Sequence, residues 1–369
     1  MERFTIVYRL AGTEAEAYSR AHDICLEQTV EFPGELIPPG FIRDNVLGQI
    51  EEFVPNGTES YQATISFAID IDAGELTQLL NVMFGNISLK PGYRVEEICL
   101  AESMLKMFKG PRFGRAGLRS LLNVPQRPLL ATALKPMGLS SRELADLAYK
   151  FALGGIDIIK DDHGLTDQNY APFKERVRLC AEAVYKANRE TGQKCIYVAN
   201  ITAPYGEIMT RAQYARDHGT GGLMLAPGLV GFDTMRTLAD DDAIALPVIC
   251  HPALLGSYVL SPDFGISRYA LFGQIVRLAG ADSTIYPNFG GRFSFSRDEC
   301  NRIVDGTKAP MSEVKPIFPC PGGGMSVSSV PEMRMVYGED VIFLIGGNLF
   351  KQGPDIVENC RHFRSLVDR

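Results

Sequence analysis

The chain has 369 residues, 46% of them hydrophobic and 22% charged, a balance that excludes a disordered tail, a fibre and a disulfide-dense miniprotein. The length suggests two domains, or one large domain with an appendage. Forty-four acidic residues against 37 basic ones leave a net charge of −7, so nothing draws the whole chain to nucleic acid or an anionic membrane, which need a cationic face, although a local basic pocket for a small phosphate stays open.

The opening MERFTIVYRL has charge on both sides of a short apolar run and no cleavage-site pattern. It predicts a first strand, not a signal peptide. FTIVYRL, YQATISFAIDI and the helical ELTQLLNVMFG together predict a small N-terminal α+β domain, of ferredoxin-like type, over residues 1–110. The Gly-, Pro- and Arg-rich stretch 107–124 reads as the connection into a second, larger domain. No stretch approaches the roughly 20 apolar residues of a membrane helix. The eight cysteines are scattered without a CxxC pair, and Cys25, Cys99, Cys180, Cys195 and Cys250 sit in or beside apolar runs. They read as buried thiols of a reducing cytoplasm.

From Pro128 onward, eight β-rich apolar runs alternate with helical patterns: 129–136, 156–162, 195–202, 222–228, 247–253, 283–288, 314–322 and 341–347. Amphipathic stretches at 141–152, 173–190 and 266–280 lie between them, and Ser140 with Glu143 forms a capping box before the first. Eight such units predict a (β/α)₈ TIM barrel over 111–369. An open doubly wound sheet is the weaker alternative, since no GxGxxG follows the first run.

Barrel enzymes work at the C-terminal ends of their strands. The first run ends at Lys135, the second at Lys160, Asp161, Asp162 and His163, the third at Asn200, the fifth at His251 and the sixth at Asn288, followed by Gly290, Gly291 and Arg292. Lys160 and Asp162 share one face of a strand while Asp161 points the other way. Two readings of this second end are open: a solvated surface turn, or a hard-cation site. One carboxylate is too few for a cation, and a carbamate on Lys160 would supply the missing oxygens. Lys135 is either a lysine that reaches the rim or a desolvated general base. The runs PGGGM (321–325) and IGGN (345–348) are either tight turns or backbone cradles for a phosphate. His251 is either a hydrogen-bonded core residue or part of the site.

Together these residues resemble the RuBisCO large-chain superfamily. GGIDIIKDDHGLTDQ (154–168) is similar to its activation segment, and RPLLATALKPMGLS (127–140) to the segment with the enolising lysine. GGRFSFS (290–296) resembles loop six, PGGGM and IGGN the phosphate-binding loops, and EQTVE (27–31) and NVMFGN (81–86) the N-terminal contributions. The resemblance implies that Lys160 is carbamylated and binds Mg²⁺ with Asp162, His163 standing where the carboxylases have a carboxylate. It implies that Lys135 helps form an enediolate and that Arg292 replaces the mobile lysine of loop six. Gly323, Gly324, Gly346 and Gly347 would hold a phosphate. Glu27 and Asn81 would reach a neighbouring subunit's barrel, which implies a head-to-tail homodimer.

Several family positions differ. Met137 replaces a lysine, Pro252 follows the strand-five histidine in place of arginine, and Ile285 replaces the strand-six histidine. These losses argue for a non-carboxylating RuBisCO-like protein whose substrate carries one phosphate and a neutral or apolar opposite end. The implied reaction is enolisation and isomerisation of 5-methylthioribulose 1-phosphate, with Lys135 or the Lys160 carbamate as base. Decarboxylating cleavage of 3-oxo-isoapionate 4-phosphate, enolisation of a diketo phosphate, and non-catalytic metabolite binding are the alternatives.

Overall fold

The computed structural model describes residues 1–368. Strand β1 (Arg3–Ala11) alternates half-buried and buried residues along its length, the period of a strand with one face on a core. The helix Glu14–Glu27 follows, then β2 (Gln49–Pro55), β3 (Ser60–Ala68), the helix Leu76–Phe84 and β4 (Tyr93–Cys99). The four strands form an antiparallel sheet in the order β4-β1-β3-β2. β2 lies at its edge and buries no residue, so QIEEFVP shows no alternation by which to recognise it. Cys99, at the end of β4, is exposed, which corrects the expectation of a buried thiol; the other seven cysteines are buried and all eight are free.

The eight apolar runs become β5 (Leu129–Leu134), β6 (Ile158–Asp161), β7 (Ile196–Asn200), β8 (Gly222–Leu225), β9 (Val248–Cys250), β11 (Ser283–Pro287), β12 (Phe318–Gly322) and β13 (Ile342–Leu344), with the two-residue β10 (Gly265–Ile266) between β9 and β11. They pair in parallel in the order β13-β5-β6-β7-β8-β9-β11-β12. The interior is a cluster of its own, including Ile158, Val198, Met224, Ile249, Ile285 and Cys320. Leu118 and Leu122 belong to the same cluster. The helix Gly114–Leu122, within the stretch read as a connection, therefore closes the end of the barrel away from the strand C-termini.

β12 and β13 pack together without a ladder. The Phe318 N–H points to the β11 side, where it meets the Asp282 carbonyl at 3.1 Å. Backbone direction alternates along a strand, so Pro319 and Pro321 face β13, and neither has an N–H to give.

The stretch 266–280 departs from its amphipathic reading. β10 pairs in parallel with β4, and residues 267–280 are buried on every side. A π-helical segment, Ala270–Ile275, occupies its middle. Gln274 docks the two parts of the molecule: it accepts from the Ile98 N–H at 2.9 Å and donates to the Ile98 carbonyl at 2.7 Å. Among the described residues no helix is long and apolar enough to cross a membrane.

Candidate active site

The tips of β5 and β6 bring Lys135, Lys160, Asp162 and His163 together. Lys160 pairs in register with Ala133 on β5 and Val198 on β7, and it is only 3% exposed. Its Nζ donates to the Asp161 carbonyl at 2.8 Å. Burial brings the amine down to about 8, with the Asp162 charge opposing that shift and the Lys135 charge adding to it. A buried lysine is costly as a cation, so this one gives up its proton far more readily than an exposed lysine and offers a growing neutral fraction as pH approaches 8.

Asp162 divides its two oxygens. Oδ2 lies 2.7 Å from Lys135 Nζ and Oδ1 lies 3.4 Å from His163 Nδ1. Burial alone would raise this carboxyl; hydrogen bonds from His163 and Lys135, with the Lys160 charge, outweigh it and hold the group well below the usual carboxylate range. Asp161 faces away, as strand alternation requires. It accepts from Tyr197 Oη at 2.8 Å and the Asn200 N–H at 3.0 Å, with Arg176 Nε at 3.3 Å. Its role is to anchor the outside of β6.

The His163 and His251 rings stack, 4.6 Å apart and 10° from parallel. The Ala253 N–H donates to His251 Nδ1 at 3.2 Å, which assigns the neutral ring's proton to Nε2. Burial, then the Lys160 and His163 charges, push His251 down to about 2, so the ring is neutral. Asn200, at the end of β7, donates from Nδ2 to the His163 and Leu165 carbonyls at 3.0 and 2.9 Å. That pair of bonds fixes the turn after β6.

The glycine runs lie beside this group. A Cβ built on Gly346 would stand 3.5 Å from Lys135 Cε, so the turn after β13 borders the lysine; Gly347 comes next, at the start of the adjoining helical turn. Gly323 and Gly324 have φ of +74° and +129°. A Cβ on Gly324 would lie 2.8 Å from the Arg292 backbone nitrogen, and the Arg292 N–H donates to the Gly323 carbonyl at 3.1 Å. Tight packing against 291–292 is therefore reason enough for glycine there. The Arg292 side chain is exposed and lies over the Phe293 ring, 5.4 Å from its centre. Asn348, not singled out from sequence, joins the two runs by donating to the Gly324 and Met325 carbonyls at 3.3 and 2.9 Å.

Glu27 and Asn81 lie apart from this cluster. Asn81 Nδ2 donates within its own helix to Gln78 at 3.4 Å. The amide facing Glu27 is that of Asn86, which donates to Glu27 at 3.1 Å and Glu31 at 3.2 Å. Asn86 is the last residue of the NVMFGN stretch.

Among the described residues, no three His, Cys, Asp or Glu side chains converge as a metal site. Asp162 and His163 are two adjacent donors; Lys160 shares the strand face of Asp162, Lys135 pairs with Asp162 at 2.7 Å and His251 stacks on His163. That set fits a divalent ion only once Lys160 carries a carbamate.

The family description "Ribulose bisphosphate carboxylase large chain, catalytic domain" matches residues 114–353. The chain belongs to the RuBisCO large-chain family. It is 35% identical to "Ribulose bisphosphate carboxylase-like protein 1" of Rhodopseudomonas palustris, over 99% of this chain and 98% of that one. It is 38% identical to "5-methylthioribulose-1-phosphate isomerase" of Rhodospirillum rubrum, over 99% and 96% of the two chains. The solved RuBisCO-like protein from Rhodopseudomonas palustris superposes with a TM-score of 0.91 at 34% identity, covering 100% of this chain and 98% of that one. The RuBisCO-like fold, with its α/β barrel and smaller N-terminal part, thus extends over the whole described chain.

Proposed function

We propose that this chain catalyses metal-assisted enolisation of a phosphorylated ketose, with 5-methylthioribulose 1-phosphate as substrate and isomerisation as the outcome. The observation that carries the reading is Asp162 held between Lys135 and His163 beside the buried Lys160, whose amine burial makes easier to deprotonate. The isomerase name of the Rhodospirillum rubrum relative supports the same choice.

The Lys160 ammonium first gives up a proton; its neutral amine then joins CO₂ and releases a second, so that an anionic carbamate stands where a cation stood. The carbamate, Asp162 and His163 would hold the ion, Mg²⁺ being the one the family resemblance implies. When bound, it polarises the substrate carbonyl and stabilises charge as the enediolate forms. The carbamate, or Lys135, a third exposed at the mouth, once its ammonium has released a proton to solvent, takes the proton from the carbon beside that carbonyl. Its return to a neighbouring carbon moves the carbonyl and completes the isomerisation. His251 offers Nε2–H to a substrate oxygen. The backbone N–H groups of Gly323, Gly324, Gly346 and Gly347 receive the phosphate, with Arg292 at the rim. Pro252 and Ile285 leave the opposite end without charge, as a thioether requires. Fixation of CO₂ is not part of this reading, because Met137, Pro252 and Ile285 stand where the carboxylases have polar groups. Glu27, with Asn81 and Asn86 on the following segment, would complete the site of a second subunit in a head-to-tail homodimer.

Incubation of the bicarbonate-treated protein with 5-methylthioribulose 1-phosphate in D₂O, followed by NMR, tests the proposal. Retention of every carbon with a moved carbonyl is expected. Turnover only of 2,3-diketo-5-methylthiopentyl 1-phosphate would make it an enolase, and loss of a carboxyl group from a 3-oxo acid would make it a decarboxylating enzyme. No turnover of any of them would leave a metabolite-binding protein.

A further inference from the structure

Resting on the carbamate site proposed above, the donor set also says which ion that site selects. We infer that it prefers a borderline divalent transition ion, such as Mn²⁺, Fe²⁺ or Co²⁺, over Mg²⁺, and that His163 sets this preference.

Asp162 has one oxygen to offer. Oδ2 is engaged by Lys135 at 2.7 Å, which leaves Oδ1. Oδ1 faces His163 Nδ1 at 3.4 Å. Two ligands on one ion with bonds of ~2.0–2.2 Å lie roughly 3 Å apart, so once the ring carries its proton on Nε2 instead of Nδ1, this oxygen and this nitrogen need shift only slightly to share an ion.

The imidazole is held for that role although its side chain is 54% exposed. One face lies on the His251 ring, which is itself fixed by the Ala253 N–H. The backbone beneath it is pinned by Asn200. A histidine that merely met solvent at a turn would not need a stacked partner on one side and a buried asparagine under its carbonyl.

The ion preference is a matter of charge and softness. With a carboxylate in place of His163, the carbamate and two carboxylates would give three negative oxygen donors, the hard set that suits Mg²⁺. With His163 the set carries two negative charges and one neutral nitrogen. Imidazole nitrogen is a poor ligand for Mg²⁺ and a good one for the later first-row ions.

Calorimetric titration of chelator-stripped, bicarbonate-equilibrated protein with Mg²⁺, Mn²⁺ and Co²⁺ tests this. It is run on wild type, His163→Glu and His163→Ala, each checked for folding by thermal unfolding. Wild type is expected to bind Co²⁺ at least about a hundredfold more tightly than Mg²⁺, and His163→Glu to shrink that ratio roughly tenfold or more by gaining Mg²⁺ affinity. His163→Ala, which also serves if the Glu variant does not fold, should weaken Co²⁺ and leave Mg²⁺ nearly unchanged. The visible spectrum of the Co²⁺ protein should change in both variants. A Co²⁺/Mg²⁺ ratio unaltered by both substitutions overturns the inference while leaving the metal site intact. No binding of any of the three ions to wild type would remove the metal site as well.

Discussion

The Lys135 ammonium lies 2.7 Å from Asp162 Oδ2, so the tips of two neighbouring barrel strands are tied through one ion pair at the mouth. The pair is partly exposed, and exposed pairs add little stability, about 0–1 kcal/mol. Its significance is positional: it holds a candidate base beside a candidate metal ligand.

Lys135→Ala should therefore cost activity far more than stability. A loss of about 10²–10⁴-fold in kcat is expected for a general base, with the midpoint of thermal unfolding nearly unchanged. Steady-state kinetics and calorimetry on the same preparation check this. A change confined to KM would assign Lys135 to binding instead.

Activation by bicarbonate should depend on pH through Lys160. The folded amine titrates at about 8, below its ordinary 10.5, and only the neutral form takes up CO₂. At constant dissolved CO₂, the activation rate should rise about tenfold per pH unit below 8 and level off above it. Stopped assays after timed exposure to CO₂ measure this, and a flat profile from pH 6 to 8 would contradict it.

Gly324→Ala tests the packing between the turn after β12 and the loop at 290–293. The new Cβ would sit 2.8 Å from the Arg292 nitrogen and 2.9 Å from Gly291 Cα, at φ +129°. The loop must move, so KM for the phosphorylated substrate should rise by roughly tenfold, with a stability loss on the order of 1–3 kcal/mol. Kinetics and urea unfolding read the two effects separately.

Gln274→Leu should loosen the joint between the N-terminal sheet and the barrel. Both Ile98 backbone groups would lose a buried partner, at a cost of about 1–3 kcal/mol for each group left unsatisfied. Chemical denaturation should show a lower midpoint, or a separate early transition of the N-terminal part.

The parallel barrel was legible because each strand is an apolar run closed by polar or glycine residues, as at 156–162 and 341–347. Ser140 and Glu143 likewise announced their helix, and the capping box is present. What escaped has physical reasons. β2 lies at an edge and buries nothing. β10 is two residues long and pairs with a strand some 170 positions away. The stretch 266–280 looked amphipathic because Arg268, Gln274 and Arg277 interrupt it, yet all three are buried with polar partners. At the site, Lys160, Asp162 and His163 lie together on the chain and were read together. Asn200 closes the third run and Asn86 and Asn348 lie within NVMFGN and IGGN, but the groups they bind are distant in sequence, and no local pattern names those partners.

The most direct measurement is ¹³C NMR of the protein equilibrated with ¹³C-bicarbonate and a divalent ion. A carbamate resonance that disappears in Lys160→Met is the predicted result. Its absence from the wild type under conditions of full turnover, or its persistence in Lys160→Met, would contradict the account.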